Sequence, residues 1–250
     1  MIKKKKVTFE NSKKGLPILR LKGRYLSSPT DPEKEAAKWC VRNEELFYAE
    51  YIIVLGAGSG YHLMELVKRW PSRKILVIEP HREVISAVKE IHRHIFMLGI
   101  EFINIQSIDQ IYNNDAIRTA LENRYSVVDY NLNVYQSSFL NFELVEFLNA
   151  RSLEGLRFVA GLRGYLDETD EQEYEELSRF DEGNLLSINN VSEIEFDVFS
   201  NDEIKWKKRV LGKLIGGNSM SRPILAIQLL RLGDILMSIP ALNDLRKTPR

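Results

Sequence analysis

The stretch "YIIVLGAGSGYHLMELV", residues 51–67, decides the fold. Its first five residues are apolar or aromatic with no polar alternation, the pattern of a short strand buried on both faces. Gly56, Gly58 and Gly60 follow, and then Leu63, Leu66, Val67 and Trp70 recur at helical spacing. A buried strand, a glycine turn and an amphipathic helix make the first unit of an α/β sheet.

The alternation continues outward from there. "KILVIEP" (74–80), "IEFINI" (100–105) and "YSVVDY" (125–130) read as further buried strands. Between and after them, Val84, Val88, Ile91 and Ile95 form a helical stripe, 108–122 a polar helix, and Leu140, Leu144, Phe147 and Leu148 another helix. The expectation is a Rossmann-like, doubly wound parallel sheet covered on both faces and joined by right-handed crossovers. Upstream, residues 7–26 read as short extended pieces with turns at "SKKG" and "LKG". "SSPTDPEKEAAKW" then starts a helix predicted to reach about Tyr48. Thr30 or Asp31 caps it, Pro32 fits its first turn, and Glu33 and Glu35 suit its positive end.

Downstream, residues 167–182 set nine acids against Arg179 alone, which predicts a solvated helix or linker. Residues 184–200 read as extended or loop. Residues 202–217 read as a basic amphipathic helix ended by a glycine pair, expected to connect domains; resting on an anionic membrane surface is the alternative. "RPILAIQLL", "RLGD" and "ILMSIPALNDLRK" then restart the strand–turn–helix pattern. A lone unit of that kind cannot bury both its faces, so it is expected to open a second Rossmann lobe, truncated here. The expected division is an N-terminal segment (1–50), a Rossmann-like domain (51–165), a linker with the basic helix (166–221) and the start of a second lobe (222–250).

Bulk properties narrow the function classes. Lys+Arg and Asp+Glu balance at 35 each, so net charge makes no case for nucleic acid as a partner. The single cysteine, Cys40, excludes an intramolecular disulfide and any multi-cysteine metal site. The most apolar window, 223–242, holds Arg231 and Asp234 near its middle, which argues against a transmembrane segment. The basic start, Lys3–Lys6, is followed by no apolar signal core and reads as a solvated tail.

Glycines at a strand-to-helix turn let a ligand approach the backbone, and the helix N-terminus behind them attracts an anion. Glu79, at the end of the next strand, can take the two hydroxyls of a ribose. The candidate ligand residues are therefore Gly56, Gly58, Ser59, Gly60 and Glu79, with His62 on the first helical turn behind them. The structural alternative is that the glycines only tighten a turn and Glu79 caps the helix near Pro80. Gly60 comes one residue too early for the dinucleotide G-x-G-x-x-G pattern, which leans away from NAD and towards the methyltransferase-like branch. Asp129, at the end of the fourth strand, is a ligand contact or a cap. Tyr125, Tyr130 and Tyr135 read as core and rim. His62, His81, His92 and His94 lack metal-site spacing.

Two resemblances add to this reading. "VLGAGSGYHLMEL" and "ILVIEP", with "RYLSSPTDPEKEAAKW" upstream, resemble the motility accessory factor family over about residues 20–150. The telling parts are Asp31-Pro32, Glu35-Ala36, the Gly56–Leu63 loop and Glu79-Pro80. That resemblance implies a methyltransferase-like Rossmann core and a link to attachment of nonulosonic sugars to flagellin. The segment "ILAIQLLRLGDILMSIPALNDLR" resembles the opening of the heptosyltransferase-type glycosyltransferases of family 9, through Gly233-Asp234 and Pro240-Ala241-Leu242. It implies that Asp234 is the general base; by spacing alone, Asp234 also suits a helix N-cap.

Both resemblances imply sugar transfer onto a bacterial surface structure such as lipopolysaccharide or flagellin. The expectation is the N-terminal part of a glycosyltransferase using a nucleotide-sugar donor and a glycan or protein acceptor. The expected place is the cytoplasm, or the inner face of the membrane. A methyltransferase using S-adenosylmethionine and a non-catalytic accessory domain are the alternatives. In the donor-site reading, Gly56→Val abolishes binding and spares the fold.

Overall fold

The computed structural model describes residues 7–135, 137, 139–185 and 201–216. Its centre is four parallel strands: β4 (Tyr51–Leu55), β5 (Lys74–Ile78), β6 (Ile100–Ile103) and β7 (Tyr125–Asp129), in the order β6-β5-β4-β7. All five side chains of β4 are buried, as are the last four of β5. This explains why those two runs carry no polar alternation: helices cover both faces. The four strands begin at the sequence-based starts and end one to two residues before the sequence-based ends.

Helices α1 (Pro32–Arg42), α2 (Tyr61–Arg69), α3 (Arg82–Ile91), α4 (Asp109–Tyr112) and α5 (Asp115–Glu122) surround this sheet. After β7 come α6 (Leu132–Tyr135), a π-helical turn (Phe139–Glu143), α7 (Leu144–Leu148) and α8 (Leu153–Leu162). Two expected helices are interrupted. The one from Pro32 stops at Arg42, where the Asn43 amide bonds back to the Trp39 carbonyl. The chain then turns as a 3₁₀ helix, Glu44–Tyr48, which buries Phe47 against Trp39 and Trp70. The expected helix over 108–122 breaks because Asn114 caps a fresh start, accepting from the Ile117 N–H at 3.0 Å.

The N-terminal residues form an antiparallel meander of β1 (Val7–Asn11), β2 (Pro17–Leu21) and β3 (Arg24–Tyr25). Leu19 and Leu21 join the main core, and α1 packs on α2. Asp31 is the N-cap of α1, accepting from the Lys34 N–H at 3.0 Å.

The acidic stretch is a helix, α9 (Glu168–Leu185), and the basic stretch is α10 (Asn201–Gly216). They are not simply solvated. Trp206 is fully buried, and its indole N–H donates to the Asp170 carbonyl at 2.9 Å. Arg209 Nε donates to Asp170 Oδ1 at 2.9 Å, and its Nη2 to Glu173 at 2.6 Å. Trp206 and Val210 are therefore turned into the protein and closed to a membrane surface. Among the described residues, no helix is long and apolar enough to cross a bilayer. Residues up to Leu211 form one compact unit, and Gly212 opens a second. Asp234 and the whole family 9-like stretch lie outside the described residues.

Candidate functional site

The glycine loop lies at the carboxyl ends of β4 and β5, the edge where doubly wound sheets hold ligands. Gly56, Gly58 and Gly60 have φ of +91°, +53° and +87°. An L side chain pays steric strain in that region, so the three positions need glycine on backbone grounds alone. They also need it for space. A Cβ on Gly58 would sit 2.5 Å from the Tyr130 ring, and one on Gly60 2.5 Å from the His92 ring. One on Gly56 would sit 2.9 Å from the Tyr130 carbonyl and 3.2 Å from the Tyr135 ring. The groups that approach these glycines closely thus belong to the chain itself. Gly56→Val therefore strains the fold, which corrects the expectation that it removes binding alone.

Every N–H from Gly56 to Gly60 has a partner. Gly56 donates to the Ile78 carbonyl at 2.9 Å and Gly60 to the Ala57 carbonyl at 3.0 Å. Ala57 donates to Glu79 Oε2 at 3.0 Å, Gly58 to the Tyr135 hydroxyl at 3.0 Å, and Ser59 to Ser27 Oγ at 3.1 Å. The Ser59 hydroxyl accepts from the Leu19 N–H at 3.0 Å and ties the loop to β2.

Glu79 is fully buried, just past the end of β5. Its carboxylate accepts from the N–H groups of Ala57 and His81, both at 3.0 Å, and from the Tyr135 hydroxyl. Burial raises its pKa to about 7, while these donors oppose the rise. Burial and the nearby Glu79 carboxylate push the Tyr135 hydroxyl well above the ordinary tyrosine value, so it stays protonated and can donate.

His62 is also fully buried. Its ring stacks on Tyr130 with centroids 3.6 Å apart and planes 2° from parallel, and it meets Trp39 edge-on at 5.1 Å. Burial lowers its pKa to about 3, so it is neutral. A backbone interaction with Gly56 opposes that shift, yet neither ring nitrogen reaches a partner in hydrogen-bonding geometry.

The Asp31–Ala36 segment connects to the same place. Glu35 accepts from the Tyr130 hydroxyl at 2.7 Å and from the Ser28 N–H at 2.7 Å. The fold thus joins Gly56, Gly58, Ser59, Gly60, His62 and Glu79 in one network, with Glu35 at its edge. Asp129 ends β7 beside it, but its side chain is exposed; its carbonyl accepts from the Trp39 indole at 2.8 Å. Ser27, His92, Tyr130 and Tyr135 are the members that sequence reasoning did not assign to the site. The rule that singled out Asp129, the carboxyl end of a strand, could have found Tyr130 one residue later.

A hollow of about 430 Å³ lies at the opposite, amino edge of the sheet, lined by Tyr51, Lys74, Glu101, Asp115 and Thr119 among others. That edge is not where such sheets bind ligands.

No family model matches the chain, and a search of the curated proteins finds no match. The two family resemblances rest on the residues quoted for them.

Proposed function

We propose that the chain is the N-terminal part of a bacterial glycosyltransferase, and that its Rossmann-like domain holds the nucleotide of a sugar donor at Gly56–Gly60 and Glu79. One observation carries this reading. The buried Glu79 carboxylate and the glycine loop meet at the carboxyl edge of two adjacent central strands, joined by the Ala57 N–H. That pairing suits a ribose hydroxyl pair on the acid and a phosphate near the start of α2. In the same reading Asp234 is the general base. Its carboxylate takes the proton of an acceptor hydroxyl; that oxygen bonds to the anomeric carbon as the bond to the nucleotide breaks. The enzyme would act in the cytoplasm.

A second reading has its own observation. All five loop N–H groups are already engaged, which favours a non-catalytic accessory domain whose loop is structural. Calorimetric titration of the chain with UDP, CMP, ADP and S-adenosylmethionine, repeated on Glu79→Gln, separates the two. Binding of a nucleotide that weakens at least about tenfold in Glu79→Gln supports the donor site. Binding of S-adenosylmethionine alone points to methyl transfer. Absence of binding leaves the accessory reading.

A further inference from the structure

We propose that the segment from Tyr130 to Tyr135 is a removable plug: it occupies the glycine-loop site with its own side chains, and a nucleoside displaces it. This rests on the nucleotide reading above and adds how the site is regulated.

The plug has the chemistry of the ligand it would exclude. The Tyr135 hydroxyl accepts the Gly58 N–H and donates to the Glu79 carboxylate. It therefore stands between the loop and the acid, where a sugar hydroxyl would. The Tyr130 ring lies parallel to the His62 imidazole at 3.6 Å, as a flat aromatic base would. The nearest atoms around a Cβ placed on Gly56 or Gly58 come from Tyr130 and Tyr135, with His62 beside Gly58. Withdrawing the two tyrosines removes the closest atoms from both glycines, leaving His62 beside Gly58, and returns two groups, the Gly58 N–H and a Glu79 oxygen, to a ligand.

The segment is also built to leave. It departs from the sheet at Tyr130, whose N–H donates to the Leu55 carbonyl at 2.9 Å. Asn131 follows at φ +51°, a left-handed conformation that asparagine tolerates and that turns the chain away from the strand. Next comes α6, a four-residue helix too short to be stable by itself. The amide of Asn131 reaches the Leu26 carbonyl and Glu35 only at 3.4 Å each. The short tether is the Tyr130 hydroxyl on Glu35, at 2.7 Å. The closed arrangement carries a polar defect as well: it seals both His62 nitrogens away from any hydrogen-bond partner. Moving Tyr130 off the imidazole relieves that defect.

The test uses amide hydrogen exchange by NMR on the whole chain, together with nucleotide titration. In the free protein, the Gly58 amide is expected to exchange through local opening, at least about a hundredfold faster than Ile53 in the central strand. Tyr135→Phe keeps the ring and removes the hydroxyl. It is expected to speed Gly58 exchange about tenfold and to tighten the nucleotide that binds (UDP, CMP or ADP) by a similar factor. Tyr130→Phe, which cuts the hydroxyl's bonds to Glu35 and Ser27, should shift Gly58 exchange in the same direction. Gly58 exchange as slow as Ile53 in all three proteins overturns the plug, whether or not a nucleotide binds. Equal nucleotide affinity in wild type and Tyr135→Phe also overturns it, while the nucleotide reading stands. Local opening at Gly58 with no nucleotide bound by either protein overturns the nucleotide reading, and with it the nucleoside as the displacing ligand.

Discussion

Glu79 and Asp170 are both buried carboxylates, and the protein satisfies them in opposite ways. Asp170 meets a guanidinium: Arg209 Nε and Nη2 both lie 2.9 Å from its Oδ1, and its N–H and Oδ2 engage Asp167. The fully buried indole of Trp206 seals that contact on the backbone side. Glu79 has neutral donors, two backbone N–H groups and a tyrosine hydroxyl. A carboxylate held by a cation fixes two helices together. One buried without a cation is held near neutrality by desolvation against the pull of its neutral donors, and a ligand hydroxyl can replace the tyrosine on it. The contrast separates an anchor from a candidate site more clearly than burial does, since both groups are out of water.

The largest test of this contrast is Glu79→Ala. It removes the acceptor of Ala57, His81 and Tyr135 together, and is expected to cost about 4 kcal/mol in urea unfolding. A cost below about 1 kcal/mol would mean that the network does not hold the loop. Glu79→Gln probes the charge instead. The folded pKa of about 7 lies above the ordinary 4.5, so the native state binds a proton that the unfolded chain has released over this window. Stability from this group is therefore greatest below pH 4.5 and falls as pH rises to about 7, by up to about 3 kcal/mol. The stability difference between wild type and Glu79→Gln should track that fall and level off above pH 7; a flat difference would break the contrast. Arg209→Met tests the other carboxylate. Asp170 is only 1% exposed while the arginine is 39% exposed, so the expected loss is about 2 kcal/mol, read from the thermal midpoint. Glu173→Gln removes only the more exposed partner of Arg209, and the shift should stay below about 1 kcal/mol.

The sheet was legible from its strands because burial on both faces leaves an uninterrupted apolar run. The glycine loop and Glu79 were legible because their spacing is local and the backbone demand is specific. Helix ends were less so: Asn43 and Asn114 stop or restart helices through side-chain bonds that apolar periodicity does not register. Tyr135 sits 77 residues from its partner Gly58, and Tyr130 95 residues from Glu35, and nothing local marks either tyrosine as part of the site. Asp170 is one of nine acids in its stretch, singled out only by Trp206, 36 residues on. What the sequence hid are contacts made by topology, and those fill the loop.

The most direct test of the central claim is a ¹H–¹⁵N NMR titration of the chain with UDP, then CMP and ADP. Saturable shifts are expected, centred on the amides of Ala57, Gly58, Ser59 and Gly60 and spreading to Tyr130 and Tyr135. Shifts confined to other parts of the chain, or none with any of the three, would contradict it.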